Sequence, residues 1–209
     1  MGQYVITTDA DVAEGAAWLA RAEPRFAAAL ILTGPLPLRR RADGFAALRD
    51  AIIGQQVSVA SARAITARML AAGLAEEQAV ARASEDDLRL CGLSRQKIRY
   101  LLSLAEAGLD YPGLRHLPDA DVIARLTALH GIGQWTAEMY LMSALGRADV
   151  FAADDLALAE AARQIFDLPD RPRRKAFAQM ALAWSPWRAV AARLLWAYYA
   201  KVKSREGVL

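Results

Sequence analysis

The sequence predicts an all-α fold, and three observations support this prediction. Ala, Leu and Arg dominate the 209 residues, whereas β-branched residues, which favour strands, are sparse. Nearly every segment repeats its apolar residues at intervals of about 3.6 positions, which is the period of a helix. No segment shows the alternation of apolar and polar residues that marks a half-buried strand. We therefore expect a chain that is built of helices throughout.

The expected helices follow from their apolar periods and from residues that can cap them. Thr8 and Asp11 have the spacing of a capping box, as do Ser84 and Asp87, and Ser94 is placed to cap the next helix. The expected helices are 9–21, a short helix from 24, two helices within 45–70 that meet at 54–58, a short helix ending near 92, 94–108, 121–129, 134–145, 154–167, 172–183 with Asp170 before it as a cap, and 187–203. Residues 1–8 are expected to be extended or disordered, and 34–41 and 111–117 to be loops.

The helices divide into two groups along the chain. Residues 45–150 are expected to form a middle lobe that contains a helical hairpin, 121–145. Residues 9–44 and 151–203 are expected to form a second lobe from both chain ends. Because the sequence has no internal repeat and no low-complexity linker, we expect a single domain, 1–209, with a cleft between its two lobes.

The composition excludes several classes of protein. Cys91 is the only cysteine, which excludes a disulfide framework, an iron–sulfur cluster and a four-cysteine zinc site. His116 and His130 lack the spacing of zinc ligands. No apolar run reaches the length of a membrane span and the N-terminus lacks a signal-peptide pattern, so we expect a cytoplasmic protein. Of the 26 basic residues, 22 are Arg, which suits phosphate binding but is equally typical of a GC-rich genome.

The most informative stretch is 129–137, LHGIGQWTA, which places two glycines between two helical patterns. Gly131 and Gly133 allow the backbone to turn sharply and another molecule to approach it closely. The helix that begins near Gln134 directs free amide groups and the positive end of its dipole outward, which suits a DNA phosphate. An ordinary tight turn between two helices is the alternative explanation of the glycines alone.

A second informative stretch ends in an acidic pair, Asp154 and Asp155, where a helix is expected to begin. Capping of that helix explains one of the two carboxylates. A helix N-terminus favours the anionic form of the other, which suits it to stabilise a developing cation or to accept a proton from water. Those roles fit cleavage of the glycosidic bond of an alkylated purine, whose transition state is oxocarbenium-like. Because an N3- or N7-alkylated purine already carries positive charge, it leaves without being protonated.

Four patches of the chain together resemble the AlkA-type 3-methyladenine DNA glycosylase II branch of the helix-hairpin-helix (HhH-GPD) superfamily. They are 51–58 (AIIGQQVS), 92–97 (GLSRQK), the hairpin through Asp155, and 184–196 (WSPWRAVAARLLW), and the resemblance covers roughly 24–200. The resemblance implies a two-lobed helical HhH-GPD fold without the N-terminal β domain of longer members. It also implies a monofunctional DNA glycosylase that excises alkylated purines from duplex DNA by base flipping and Asp-assisted hydrolysis.

The resemblance further implies roles for individual residues. Asp155 falls on the catalytic aspartate, and Gln56 falls where the family places a residue that wedges into the duplex at the flipped nucleotide. The main-chain carbonyls of Thr127, Leu129 and Ile132 would bind a monovalent cation, Na⁺ or K⁺, that supports the hairpin. The base pocket is expected to contain Trp135, Trp196, Met139 and Leu156, and the DNA-binding residues are expected to be Gln55, Gln56, Gly131, Gly133, Gln134 and Thr136.

Each of these assignments has a simpler structural alternative. Trp135 and Trp196 are also compatible with core packing, and Gln55 and Gln56 with a polar pair that faces solvent. The arginine-rich segments 39–41 and 171–175 are expected to be solvated faces that contribute at most diffuse attraction to phosphates.

The sequence departs from the family at two pocket positions, because Met139 and Leu156 stand where relatives often have aromatic residues. The lesion range therefore stays open among 3-methyladenine, 7-methylguanine, ethenoadenine, hypoxanthine and methylated pyrimidines. Lyase-competent relatives carry a lysine at the place of Trp135, so a bifunctional glycosylase/lyase is a disfavoured alternative. A non-catalytic helix-hairpin-helix damage-binding protein is the other alternative, and it would need the hairpin glycines but neither Asp155 nor a pocket.

The resemblance also implies which ligands and partners to expect. We expect no required cofactor and no iron–sulfur cluster, apart from the cation at the hairpin. The expected partner is double-stranded DNA that contains damaged bases, with no membrane and no obligate protein partner. We expect a monomer in the bacterial cytoplasm, associated with the nucleoid.

Overall fold

The structure is a computed structural model that describes residues 4–206, with side chains to Ser204. Thirteen α-helices occur in this range, and no strand beyond an isolated antiparallel bridge between Val5 and Arg147. The predicted all-α fold is therefore confirmed for the described residues, whereas residues 1–3 of the segment expected to be extended lie outside them. The helices are α1 Asp9–Ala22, α2 Pro24–Thr33, α3 Phe45–Gly54, α4 Val59–Ala71, α5 Glu77–Arg82, α6 Glu85–Leu90, α7 Arg95–Glu106, α8 Tyr111–Leu114, α9 Asp119–Thr127, α10 Gln134–Tyr140, α11 Leu156–Ile165, α12 Arg174–Ala181 and α13 Arg188–Glu206.

Local capping explains where several of these helices begin. Asp11 N donates to Thr8 Oγ1 while Thr8 N donates to the Asp11 carboxylate, which completes the capping box expected at α1. The same reciprocal pair forms between Ser84 and Asp87 at α6. Ser94 accepts a hydrogen bond from the third residue of α7. The signals that lie within four positions of one another thus fix these helix starts as predicted.

Three sequence-based expectations were wrong. The six-residue α5 was not predicted, because its apolar face is short and it packs on α7. The segment expected to be a loop at 111–117 contains α8, where the Asp110 side chain accepts from Gly113 N and Pro112 occupies the first turn, which a helix tolerates. Asp170 does not cap α12, which begins at Arg174 without a side-chain cap.

The chain divides into two compact units. The middle unit is Arg41–Tyr140, and the terminal unit combines the described parts of Met1–Arg40 and Leu141–Leu209. The divisions expected from the sequence were 44/45 and 150/151. Residues 141–150 join the terminal unit because Ile6 N donates to Gly146 O at 2.7 Å and Ala148 N donates to Tyr4 O at 3.0 Å. The cleft between the lobes stays a prediction.

The terminal unit is built around α13, which packs against α1, α2 and α11. An aromatic cluster fills part of its core, with Phe151 edge-on to Phe177 at 4.9 Å between ring centroids and Phe26 at 5.1 Å from Trp184. Such offset and edge contacts stabilise a core beyond the burial of apolar area. This cluster includes Phe151, so it also fixes the segment that leads to the acidic pair.

The middle unit is built around α7, which packs against α3, α5 and α6, while α9 packs against α10. Two cations are buried in it and both are compensated. Arg49 pairs with Asp50 and donates to the carbonyl of Ala75, and Lys97 donates to the carbonyl of Ile53. A buried charge without such partners would be strongly destabilising. Within the described range, none of the helices is both long and apolar enough to cross a membrane.

Candidate functional site

The hairpin consists of α9, α10 and the turn 128–133 between them. Gly131 has φ +87°, and a Cβ added there would overlap the ring of Tyr100 on α7. Glycine is therefore required at this position for two reasons, backbone conformation and close packing. The predicted sharp turn is confirmed at Gly131.

Gly133 differs from Gly131 in both respects. Its φ is outside the left-handed region, and a Cβ added there would meet nothing within 4 Å. Of the two glycines, only Gly131 has the left-handed conformation that favours glycine in the turn. The absence of a side chain at this exposed position leaves the outer side of the turn open to another molecule.

The hairpin is joined to the loop between α3 and α4, residues 55–58. Gln55 Nε2 donates to the Gly131 carbonyl at 2.8 Å, so its amide group is used inside the unit. Lys97, only 8% exposed, donates from Nζ to the Ile53 carbonyl at 2.6 Å and so satisfies the last turn of α3. Burial lowers the pKa of Lys97. Lys97 stands in one of the four sequence patches, but no local pattern predicted this contact.

Gln56 is the exposed member of the glutamine pair. Its φ of +55° is uncommon for a residue other than glycine and places it at the tip of the α3–α4 loop. Together with Val57, Ser94, Gln96 and Tyr100 it lines a cavity of about 250 Å³. Gln55 lines the same cavity, but its amide group braces the hairpin, whereas Gln56 is exposed.

The start of α10 carries the other hairpin residues that the sequence singled out. Trp135 is 41% exposed, so simple core packing does not describe it. Gln134 Nε2 donates to Glu138 Oε1 at 2.8 Å along the helix, and Met139 is half-buried. Thr136 is buried. A DNA contact by Thr136 would therefore involve its backbone amide rather than its hydroxyl group.

The three carbonyls expected to hold a cation lie at the end of α9 and in the turn. Thr127 is the last residue of α9, and the final carbonyls of a helix lack intrahelical partners. The Leu129 carbonyl accepts from Ile132 N at 3.2 Å. No cluster of three or more His, Cys, Asp or Glu side chains that could hold a metal occurs within 4–206. Backbone oxygen is the donor type that hard cations prefer, so the carbonyl set has suitable chemistry.

In the terminal unit, the two residues of the acidic pair, Asp154 and Asp155, have different partners. Asp155 caps α11, because its Oδ1 accepts from Ala157 N at 2.9 Å and from Leu158 N at 3.1 Å. Asp154 lies 3.1 Å from Arg174 Nε through its Oδ2. The residue that the resemblance assigns to catalysis is thus the cap. A carboxylate offers acceptor sites on two oxygens, so capping through Oδ1 is compatible with a second role.

Asp149 anchors the beginning of the acidic loop, residues 149–155. Its two carboxylate oxygens accept from Arg188 Nε at 2.7 Å and Nη2 at 3.0 Å, and Ser185 Oγ donates to Oδ2 at 2.8 Å. Burial by itself would raise the pKa of Asp149, but the hydrogen bonds from Arg188 and Ser185 outweigh it and lower the pKa. The bidentate pair fixes the loop to the start of α13. Sequence reasoning missed it, because 39 residues separate the partners.

The remaining pocket candidates, Trp196 and Leu156, also belong to the terminal unit. Leu156, the first residue of α11, is 71% exposed. Trp196 is half-buried on α13, and the guanidinium of Arg39 lies 5.5 Å from the centre of its ring. Trp135 and Met139 belong to the other unit.

Comparison of the sequence with known proteins identifies the family that the four sequence patches indicated. The sequence profile described as "HhH-GPD superfamily base excision DNA repair protein" matches residues 50–187. The putative DNA-3-methyladenine glycosylase YfjP of Bacillus subtilis is 30% identical over 158 residues, which cover 69% of this chain and 55% of the relative. DNA-3-methyladenine glycosylase 1 of Schizosaccharomyces pombe is 38% identical over 116 residues, which cover 52% of this chain and 50% of the relative. This chain thus spans about half the length of the curated relatives it matches.

Solved structures are similar over most of the chain. The DNA-3-methyladenine glycosidase of Bacillus halodurans matches with a TM-score of 0.81 and 28% identity, covering 98% of this chain and 95% of the other. The 3-methyladenine DNA glycosylase of S. pombe in complex with abasic DNA matches with a TM-score of 0.76 and 28% identity, covering 88% and 95%. Because the family profile includes the α3–α4 loop, the hairpin and the acidic loop, this chain belongs to the HhH-GPD superfamily of base excision DNA repair proteins.

Proposed function

We propose that this protein is a monofunctional DNA glycosylase that removes alkylated purines, of the 3-methyladenine and 7-methylguanine type, from double-stranded DNA. The observation that carries the proposal is Asp155, which two backbone amides hold at the start of α11. The similarity to proteins named DNA-3-methyladenine glycosylase supports the substrate class. The S. pombe relative solved with abasic DNA supports duplex DNA as the partner.

The middle unit supplies the contacts that hold DNA. The amides at the start of α10 bind a backbone phosphate, and the missing side chain at Gly133 lets the phosphate approach. Gln56, exposed at the tip of its loop, wedges into the base stack where a nucleotide has been flipped out. Gln55 acts indirectly, because its amide braces Gly131.

Asp155 assists cleavage of the glycosidic bond as an anion. The amides of Ala157 and Leu158 fix the carboxylate, which therefore needs no reorganisation as positive charge develops on the sugar. The C–N bond breaks with its electron pair going to the alkylated base, which leaves as a neutral purine. Water then bonds to the sugar carbon and gives its proton to the Asp155 carboxylate. The exposed indole of Trp135 and the ring of Trp196 supply aromatic faces on which an electron-poor base stacks.

We further propose that the carbonyls of Thr127, Leu129 and Ile132 hold Na⁺ or K⁺. When bound, the cation would fix the turn and add positive charge beside a phosphate. No other cofactor is required. The protein acts as a monomer in the bacterial cytoplasm, on nucleoid DNA, and its likeness to Bacillus glycosylases supports that setting.

The test compares wild type with Asp155→Asn on methylated duplex DNA, with the released bases separated and quantified. Asn caps a helix as well as Asp does, so this change removes the charge and keeps the fold. We expect the release of methylpurines to fall by about 10²- to 10⁴-fold, while Asp154→Asn, the matched control, stays near wild type. Full activity of Asp155→Asn would contradict the role of this carboxylate.

Two further outcomes separate the alternatives. If wild type binds damaged duplex but releases no base, the protein is a non-catalytic damage binder. If borohydride traps a covalent adduct between protein and DNA, the enzyme is a bifunctional lyase. We expect base release without an adduct.

A further inference from the structure

Arg39 combines two unusual features within the terminal unit. It is a non-glycine residue with φ +53°, a left-handed conformation that costs free energy. Its guanidinium lies over Trp196, 5.5 Å from the ring centre, at a distance typical of a cation–π contact. The strain and the ring contact occur in the same residue, so the surrounding structure must impose this placement.

A buried arginine supplies the constraint. Arg193, 1% exposed, donates from Nε and Nη2 to the carbonyl of Leu38, each at 3.0 Å, and from Nη1 to Ala189 O at 2.7 Å. Burial, with smaller contributions from the charges of Arg39 and Arg40, lowers the pKa of Arg193 to about 10. Burying a cation is costly. Here the buried guanidinium of Arg193 fixes the peptide group that precedes Arg39.

The neighbouring arginine, Arg40, is directed elsewhere. The guanidinium of Arg40 packs against Gly146, where an added Cβ would overlap it. Two adjacent residues of equal charge therefore have different neighbours, and only Arg39 covers an aromatic ring. Both side chains are exposed, as predicted for the basic segment 39–41.

We propose that Arg39 weakens the preference of the base pocket for cationic alkylated purines relative to neutral modified purines. The proposal rests on the proposed function, because it takes Trp196 as a wall of that pocket. A base that stacks on the face of Trp196 covered by Arg39 must displace the guanidinium. A base that stacks on the opposite face has the guanidinium on the far side of the ring. In both positions a cationic base meets a like charge and a neutral base does not.

The test measures single-turnover base release from two duplexes, one with a single 7-methylguanine, which is cationic, and one with a single ethenoadenine, which is neutral. The informative quantity is the ratio of the two rates. Arg39→Gln should raise the ratio of cationic to neutral release by about two- to fivefold. Arg39→Lys keeps the charge and should stay near wild type.

Arg40→Gln is the matched control. It removes the same charge, and hence the same diffuse attraction to DNA, without uncovering Trp196, so it should leave the ratio unchanged. Thermal unfolding of each variant confirms that the fold is retained. Equal ratios in wild type, Arg39→Gln and Arg40→Gln would overturn the proposal while leaving the glycosylase activity intact.

A binding measurement separates the two proposals. If wild type releases neither base, the proposed function fails, and the affinities of both duplexes are then compared by fluorescence anisotropy. Arg39→Gln should still strengthen binding of the 7-methylguanine duplex relative to the ethenoadenine duplex. An unchanged ratio of affinities would overturn the role of Arg39 independently of catalysis.

Discussion

The hairpin of the middle unit and the acidic loop of the terminal unit are held in place by different kinds of interaction. The hairpin depends on a backbone conformation, φ +87° at Gly131, and on the absence of a side chain against Tyr100. The acidic loop depends on side-chain charges, mainly the pair of Asp149 with Arg188. The hairpin should therefore fail when a Cβ is added and tolerate acid. The loop should fail when a charge is removed and should weaken in acid.

Gly131→Ala should have the largest effect on stability. The change combines a left-handed backbone, costing about 1–2 kcal/mol for a non-glycine residue, with overlap of the Tyr100 ring, costing about 1–3 kcal/mol. We expect the free energy of unfolding in urea to fall by about 2–4 kcal/mol. Adding Tyr100→Ala should recover part of the loss, whereas no recovery would show that backbone strain alone is responsible.

Asp149→Asn should have the next largest effect, about 1–2 kcal/mol at neutral pH, because it removes charge-assisted hydrogen bonds that are only partly shielded from solvent. The pKa of Asp149 is lowered from its usual value of 3.8 by folding. Its stabilising effect is therefore fully present above that value and is lost as the pH falls through the lower, folded value. Chemical unfolding of both proteins across this range checks the prediction.

Arg188→Lys is the companion change for the acidic loop. It keeps the positive charge but loses the bidentate geometry, so its cost should be smaller than that of Asp149→Asn. Base release should fall in both variants, because Asp155 is fixed through the same loop. If stability falls while base release stays at the wild-type rate, Asp149 is not a positioning residue for catalysis.

Gly133→Ala tests the difference between the two glycines of the hairpin. An added Cβ meets nothing within 4 Å of the protein, so the free energy of unfolding should change by less than about 0.5 kcal/mol. The affinity for duplex DNA should nevertheless fall several-fold, because the methyl group lies where a phosphate is proposed to approach. Unaltered DNA binding, measured at fixed salt concentration, would show that the turn does not contact DNA.

Asp154→Asn should have the smallest effect on function and only a small effect on stability. Its partner Arg174 is half-exposed, and exposed ion pairs contribute about 0.2–1 kcal/mol. The melting temperature should therefore be nearly unchanged. The small decrease should be larger at low salt than at high salt, because salt screens the ion pair. A loss as large as that of Asp149→Asn would indicate that the whole acidic loop acts as one network.

The family and much of the fold follow from the sequence because their signals are local. The capping box of Thr8 and Asp11 and the left-handed turn at Gly131 involve residues within a few positions of one another. The four sequence patches predicted the HhH-GPD superfamily, and the profile match confirmed it. The helix starts at these capping residues needed no knowledge of distant contacts.

The sequence by itself determined the helical fold class, the helices with strong caps and the residue types offered for chemistry. Only the tertiary structure decided that Asp149 binds Arg188, that residues 141–150 join the terminal unit, and that Arg39 rather than Arg40 covers Trp196. These features depend on pairs of residues far apart in the chain. A local pattern carries no information about such pairs, because the partner is chosen by packing and by the need to satisfy buried polar groups.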